Sequence, residues 1–449
     1  MRDPLRLEPR AHCGGVITLP GSKSLANRAL LLAALAQGST RLTNLPQGDD
    51  VGHLLRALQS LGVRYHYTEA TRVCEVVGCA GRFPNERTGE TLFLGNAGSV
   101  LRPLTALLSL GGVGEAAVDW VVTGESRMQQ RPIAPLVDAL CQGGAQIDYL
   151  GDPGYPPLRL RGGFQGGTLQ VSGQISSQFL SALLMATPLA EQPSTIEVVG
   201  SLISESYIQM TLQVMRCFGV VVQHQDYRLF YTPGSQQYCA PPHFQIEGDA
   251  ATASYFLAAA AIQGGPIRVQ GIGRDSLQGE KVFADILQRM GAEIGWGEDY
   301  LECRRGRLSG IEIEMNNQPD SAMTLAIVAL FAKGPTTIRN IYHWRFKESD
   351  RLSAMAAGLR QVGATVEIGV DFIHIQPPAK LKAAMINTFN DHRMAMCFSL
   401  VTLAKVSVTL SDPQCVSKSF PNYFAEFERL TVPRGVVPAV VRSARLSIG

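Results

Sequence analysis

Six stretches of the chain are apolar on most faces at helical length: Asn27 to Gln37, Leu101 to Leu110, Ser177 to Thr187, Ala250 to Ile262, Ser321 to Lys333 and His392 to Leu403. A helix that is apolar all round has no face for solvent, so each of these is expected to be buried. Between them lies a second kind of segment, amphipathic and ended by glycine: Ala57 to Gly62, Ala139 to Gly144, Val214 to Gly219, Ile286 to Gly291 and Gly358 to Gly363. Glycine suits the left-handed stop of a helix, and a β-prone run such as Gln146 to Tyr149 or Thr365 to Ile368 follows each. These glycines are 82, 75, 72 and 72 residues apart. A unit of roughly 75 residues with strands and helices is too large for a solenoid repeat. It predicts a small α/β folding unit, about six of which fill the chain.

At 449 residues the chain is expected to form two to four domains, at roughly 100 to 200 residues each. Its 40 Lys and Arg against 38 Asp and Glu leave +2, so bulk charge gives no argument for a nucleic-acid or membrane-surface partner. Any anion site must be local. The 45 glycines are about 10% of the chain against the usual ~7%, which favours a turn-rich globular protein. Met1 to Gly15 lacks the apolar stretch and cleavage site of an export signal. The most apolar segments fall short of the ~20 residues that span a bilayer, so a soluble protein is expected. Nine scattered cysteines with no CxxC pair fit reduced thiols in a cytoplasm, and signal no zinc site or other metal.

Polar clusters stand where the buried helices begin: Ser22-Lys23-Ser24, Asn96-Ala97-Gly98-Ser99, Ser176-Ser177-Gln178, Glu247-Gly248-Asp249, Asp320-Ser321 and Asn390-Asp391-His392-Arg393. Taken one at a time, Ser, Asn and Asp there are ordinary N-caps. Lys23, Arg28, Arg102, Arg127, Arg131, Arg345, Lys347, Arg351, Arg393 and Lys418 change the balance, because all lie in or near Gly/Ser/Asn-rich turns rather than on alternating solvated faces, although some will be surface charges. Helix N-termini already attract anions, and several of them converging with basic residues would bind a polyanion. Two nucleotide motifs fail. Gly21-Ser22-Lys23-Ser24 lacks the Lys directly after glycine that a P-loop needs, and Gly271-Ile272-Gly273 has no third glycine. With no GxSxG elbow or HExxH pair either, acid-base chemistry on a small anion is the working class.

Pro20-Gly-Ser-Lys23-Ser24-Leu-Ala-Asn-Arg28, Leu94-Gly-Asn96-Ala-Gly98-Ser99-Val-Leu-Arg102-Pro103, Ser176-Ser-Gln178-Phe-Leu-Ser-Ala-Leu-Leu-Met185, Lys347-Glu348-Ser-Asp-Arg351 and Asn390-Asp-His-Arg393-Met-Ala-Met396 resemble the signature segments of the 5-enolpyruvylshikimate-3-phosphate (EPSP) synthase family, in its bacterial form. The resemblance runs from about Leu5 to about Leu430. It implies a two-domain inside-out α/β barrel, each domain made of three βαβαββ units. Residues 22–246 would form one continuous domain and residues 1–21 with 247–449 the other, joined by two crossovers and closing around the substrates. The implied reaction transfers the enolpyruvyl group of phosphoenolpyruvate to the 5-hydroxyl of shikimate 3-phosphate, in a cytoplasmic monomer without cofactor, nucleic acid or membrane.

Carried over residue by residue, the resemblance implies Asp320 as base at the 5-hydroxyl and Glu348 in proton exchange at the enolpyruvyl methylene. It puts Lys23 against both substrates and has His392 orient the site. Lys23, Asn96, Gly98, Arg127, Gln178, Arg351, Arg393 and Lys418 would hold phosphoenolpyruvate. Shikimate 3-phosphate would meet Lys23, Ser24, Arg28, Ser176, Ser177, Gln178, Ser204, Asp320, His343 and Lys347. Arg suits this work because its planar fork grips carboxylate or phosphate with two bonds. Read without the resemblance, Asp320 is an N-cap and Glu348 one half of a surface ion pair.

Some positions depart from the usual bacterial pattern. His343 stands where an asparagine is usual, and could hydrogen-bond equally or gain charge near its ordinary pKa of about 6.5. Ser99 replaces a threonine, Glu205-Ser206 a Lys-Pro and Gln129-Gln130 a Lys-Glu, putting affinity rather than activity in doubt. Gly98 is retained, so sensitivity to glyphosate, a competitor of phosphoenolpyruvate, is expected. The sister UDP-N-acetylglucosamine enolpyruvyl transferase would carry Lys-Asn at Lys23-Ser24 and a loop cysteine, and none lies between Thr123 and Pro132. A non-catalytic anion-binding protein on the same fold is the other alternative. Residues 435–449 extend beyond the resemblance, and Pro433 and Pro438 interrupt their β-prone valines.

Overall fold

The computed structural model describes residues 3–84, 89–110 and 119–433; the tail from Gly435 to Gly449 lies outside them. The fold is mixed α/β. Its helices are α1 (Lys23–Leu35), α2 (Asp49–Ser60), α3 (Gly98–Leu108), α4 (Ala134–Gln142), α5 (Ser177–Ala186), α6 (Glu205–Cys217), α7 (Ala250–Gln263), α8 (Phe283–Met290), α9 (Ser321–Val328), α10 (Arg351–Gln361), α11 (His392–Ser399) and α12 (Tyr423–Leu430).

One pattern recurs around them. Gly167–Ser172 pairs in parallel with Ser194–Val199, across α5, and after α6 the hairpin Gln223–Gln225 and Leu229–Thr232 closes the sheet antiparallel. Thr91–Phe93, Trp120–Thr123, Leu158–Leu160 and Ile147–Tyr149 repeat this order with α3 and α4. Glu312–Glu314, Thr336–Arg339, Ile373–Gln376 and Thr365–Ile368 repeat it with α9 and α10. A parallel pair needs a crossover of a dozen or more residues, which is what the buried helix supplies. In two further sheets the leading strand comes from far along the chain: His243–Gln245 beside Ser39–Thr43, and Arg10–Thr18 beside Gly264–Gln270. In a sixth, Ala384–Ile386 and Val408–Leu410 are completed by Leu5–Leu7.

Buried apolar residues fall into two clusters. The first runs from Leu25 to Ile246; the second joins Leu7 to Leu19 with Ala250 to Leu430. The chain passes between them twice, at adjacent places. Gly21 bridges Gly248, the Ser22 amide donates to the Glu247 carbonyl at 2.7 Å, and the Asp249 amide to that of Pro20 at 2.9 Å. Among the described residues no helix is long and apolar enough to cross a membrane, and no cluster of three or more His, Cys, Asp or Glu could hold a metal.

Helix starts differ from the periodicity in an informative way. α1 begins at Lys23 rather than Asn27, and α3 at Gly98 rather than Leu101. Apolar periodicity marks the buried turns, whereas here the first turn is polar because it faces a cleft. α9 and α11 stop at Val328 and Ser399 and tighten into 3-10 turns, Ala329–Phe331 and Leu400–Ala404, short of the expected Lys333 and Leu403. The repeat glycines Gly62, Gly144, Gly219, Gly291 and Gly363 all have positive φ, from 81° to 114°. The sixth amphipathic helix, α12, carries no glycine: Thr431 turns its chain directly into the strand Thr431–Pro433, so it escapes the period.

These stops differ in how crowded they are. An added Cβ at Gly363 would meet only ordinary contacts, the nearest the Lys380 carbonyl at 3.6 Å, whereas at Gly291 it would lie 2.3 Å from that of Arg307. Gly363→Ala should therefore lose about 1–2 kcal/mol of left-handed strain alone, and Gly291→Ala distinctly more. Urea unfolding midpoints should order as wild type, Gly363→Ala, Gly291→Ala.

Candidate active site

The starts of α1, α3, α5, α9 and α11 line one cleft between the two cores, with the loop before α10. Ser22, Ser176, Asp249 and Asp391 do cap their helices, accepting from the amides of Leu25, Gln178, Thr252 and Arg393. Asn96 and Asp320 do not. Asn96 Oδ1 accepts from Arg131 Nη1 at 3.0 Å, and the Asp320 carboxylate makes no bond to its own helix. What a cap fixes here is the first turn of its helix, from which Lys23, Ser177 and Arg393 enter the cleft.

The carboxylates are organised by Arg351, whose side chain is 1% exposed. Nε and Nη2 reach Asp391 at 2.8 and 3.3 Å, Nη1 reaches Asp320 Oδ1 at 2.9 Å, and Nη2 lies 2.8 Å from Glu348 Oε2. Arg393 Nη2 takes the other Asp320 oxygen at 2.7 Å. Burial by itself would raise both carboxyls. Arg393, Arg351 and Lys347 outweigh it at Asp320, and Arg351, Arg131, Lys418 and Lys23 at Glu348, so both are held well below the usual carboxylate range. Burial lowers Lys347 to about 8.

A second carboxylate joins the two cores. Asp50, on α2, pairs with Lys23 Nζ at 3.0 Å and with Lys418 Nζ at 2.7 Å; Lys418 belongs to the other side of the cleft and also donates to the Asn96 carbonyl at 2.8 Å. Further bonds cross the cleft mouth. Arg127 donates to the carbonyls of Lys347 and Arg345, Glu205 N to Asn317 Oδ1 at 2.9 Å, and Ser206 Oγ to the Asn317 carbonyl at 2.6 Å. The substituted Glu205-Ser206 pair thus links the two sides. Ser99, the other small departure, accepts from Asn27 Nδ2 at 2.8 Å and ties α3 to α1.

Of the residues expected from sequence, Lys23, Ser24, Arg28, Gly98, Ser177, Gln178, Ser204, Asp320, Lys347, Glu348 and Arg393 line this cleft, and Asn96 and Lys418 the space adjoining it at Asp50. Ser176, Arg127, Arg351, His343 and His392 do not. Ser176 caps α5, Arg127 is spent on backbone carbonyls, and Arg351 sits behind the carboxylates it binds. His392 is wholly buried with no hydrogen-bond partner on either ring nitrogen, and burial followed by Lys23 and Arg393 keeps it neutral. His343 corrects an expectation. At 1% exposure and beside Lys347 it is pushed down to about 3, so it does not charge near 6.5. The surface reading of Glu348 also fails, since its side chain is 10% exposed. A Cβ on Gly98 would lie 2.3 Å from Arg102 Nη1 and 3.0 Å from Gln178 Oε1, two groups already bonded at 2.8 Å.

Sequence reasoning missed Asp50 and Tyr207 and left Arg131 out of the site. Asp49 and Asp50 open a helix, where acids are common for dipole reasons alone, so nothing local marked Asp50. The profile of the family described as EPSP synthase (3-phosphoshikimate 1-carboxyvinyltransferase) matches residues 7–427. The chain belongs to the EPSP synthase family. A 3-phosphoshikimate 1-carboxyvinyltransferase of Serratia proteamaculans (strain 568) is 58% identical over 431 residues, covering 96% of this chain and 99% of that one. One of Yersinia pseudotuberculosis serotype O:3 (strain YPIII) is 57% identical over the same span. The solved EPSP synthase of Acinetobacter baumannii superposes with a TM-score of 0.77 at 26% identity, covering 95% of this chain and 98% of that one.

Within this member of the EPSP synthase family, Asp50→Asn should be less stable than wild type by about 3 kcal/mol at neutral pH, because it leaves two buried ammonium groups unpaired. Burial raises the Asp50 pKa, but Lys23 and Lys418 lower it further, to a net value below the ordinary one. The contribution is therefore complete above the unfolded pKa of about 3.9 and is lost as pH falls through the folded value. Urea midpoints of the two proteins should converge in acid.

Proposed function

We propose that this chain joins phosphoenolpyruvate to the 5-hydroxyl of shikimate 3-phosphate, releasing phosphate, as a cytoplasmic monomer. The two buried clusters are read as two domains, residues 22–246 and residues 1–21 with 247–449, each of three βαβαββ units in an inside-out barrel that closes by bending at the paired crossings. Free thiols at Cys13, Cys74, Cys79, Cys141, Cys217, Cys239, Cys303 and Cys397 suit that compartment.

The observation that carries this reading is the pair Asp320 and Glu348, which share one guanidinium and face a cleft walled by Lys23, Arg393 and Lys347. Asp320, held ionised, takes the proton of the 5-hydroxyl as its oxygen bonds to C2 of phosphoenolpyruvate. The C2–C3 electron pair takes a proton at C3 from Glu348, giving a tetrahedral adduct. Elimination then gives a proton of the C3 methyl back to Glu348, breaks the bond from C2 to the phosphate oxygen and restores the double bond, and the departing phosphate takes the proton held by Asp320. Lys23, Arg393 and Lys418 hold the anionic groups, with Asn96, Gly98 and Gln178. Arg127 would join them after releasing its carbonyls. Arg28, Ser24, Ser176, Ser177, Ser204 and Lys347 hold the 3-phosphate and ring, with neutral His343 as a hydrogen-bonding group. Arg351 is assigned here to aligning the two carboxylates, with His392 buried beside them.

The protonation of Glu348 follows from charge balance. Its pKa is depressed by Arg351, Arg131, Lys418 and Lys23, the last two of which the substrate anions would neutralise. Binding then raises Glu348 toward the range where it can carry a proton. All steps are proton transfer and displacement, so no metal or cofactor is called for.

Phosphate release should require both substrates, and UDP-N-acetylglucosamine should not replace shikimate 3-phosphate. Glu348→Gln should lower kcat by about 10²-fold or more with KM little changed. Glyphosate should inhibit at millimolar levels or below. Release without shikimate 3-phosphate, or none with both substrates, would sink the reading.

A further inference from the structure

The start of α9 is capped from a distance. An N-cap aspartate ordinarily folds its carboxylate back onto the free amides of the first turn. Asp320 instead has helical backbone angles, φ −86° and ψ −42°, and caps nothing. The Ala322 amide, which such a cap could take, goes to the Gln318 carbonyl at 3.0 Å, and the two amides before it go to Glu280, from the turn Gly279–Val282: Oε1 accepts from Asp320 N at 3.1 Å, and Oε2 from Ser321 N at 3.1 Å and from the Ser321 hydroxyl. Both oxygens of Asp320 are thereby left to Arg351, Arg393 and the cleft. The Tyr207 hydroxyl, arriving on α6 from the other side, stands 3.2 Å from Glu280 Oε1 and 3.2 Å from Asp320 Oδ2.

Glu280 is 3% exposed and does not line the substrate cleft, and the reaction as derived does not use it. We propose that Glu280 is a positioning residue for Asp320: by anchoring the backbone amides of Asp320 and Ser321, it keeps the Asp320 carboxylate turned to the substrate hydroxyl and couples it, through Tyr207, to the opposite side of the cleft. This rests on Asp320 being the base. The charged and titratable groups around Glu280 are Asp320 before α9, Arg393 on α11, Tyr207 on α6, Asp249 before α7 and Lys23 on α1. Burial and then Asp320 push the Glu280 carboxyl up to about 7, against the pull of Ser321 and Arg393. Below that pH its proton completes a chain in which Glu280 donates to the Tyr207 oxygen and Tyr207 donates to Asp320. Above it, a second negative charge beside Asp320 makes Asp320 the stronger base.

The test is steady-state phosphate release by the full chain with shikimate 3-phosphate and phosphoenolpyruvate, across neutral pH, for wild type, Glu280→Gln, Asp320→Asn and the double variant. Glutamine is nearly isosteric and keeps one acceptor, and thermal unfolding checks that the fold survives. Glu280→Gln should lower kcat about tenfold with KM for phosphoenolpyruvate within about twofold, and should abolish the inflection near neutrality. In the Asp320→Asn background it should cost less than about twofold, since a residue acting through Asp320 has nothing left to position. A Glu280→Gln profile like that of an active wild type, or an equal loss in both backgrounds, would overturn the positioning role alone. A wild type that releases no phosphate would overturn the reaction itself.

Discussion

A guanidinium with almost no access to solvent binds three carboxylates, and the site is built outward from it. Burying an arginine is tolerable only when its donors are satisfied and its charge is matched, and Arg351 meets both conditions with Asp320, Glu348 and Asp391. Asp391 in turn caps α11 and so aims Arg393, which takes the second oxygen of Asp320. Three elements, the starts of α9, α10 and α11, are therefore locked in mutual register by one side chain. Removal of any partner would strand a buried charge, so the geometry of Asp320 and Glu348 follows from the stability of the fold.

Around that rigid group the charges from the other side of the cleft are exchangeable. Lys23 and Lys418, from opposite sides, meet on Asp50; Arg127 and Ser206 reach across to backbone carbonyls. These contacts join like-charged walls through an anion and carbonyl dipoles. The division is physical: Asp320 and Glu348 are gripped by a buried arginine, while Lys23, Lys418 and Arg127 rest on Asp50 and on backbone carbonyls.

Much of this was legible in the chain. The apolar helices, the glycine stops and the polar clusters before each helix predicted a repeated α/β unit with helix starts gathered on an anion site. The resemblance of five segments named most residues of the cleft. Residues whose partners are far along the chain could not be read. Asp50 looks like a helix-dipole acid until Lys418 arrives 368 residues later, and Glu280 like a surface turn residue until Asp320 and Tyr207 close over it.

The sequence by itself determined the periodicity, the residue types at each helix start and the family, because these depend on local propensity and on short contiguous motifs. Tertiary structure alone decided the state of each group. It made His343 neutral by burial beside Lys347, gathered three carboxylates on Arg351, and tied the backbone amides of Asp320 and Ser321 to Glu280. Charge state and hydrogen-bond partner depend on desolvation and on neighbours brought together by the fold, and neither is encoded in the spacing of residues along a chain.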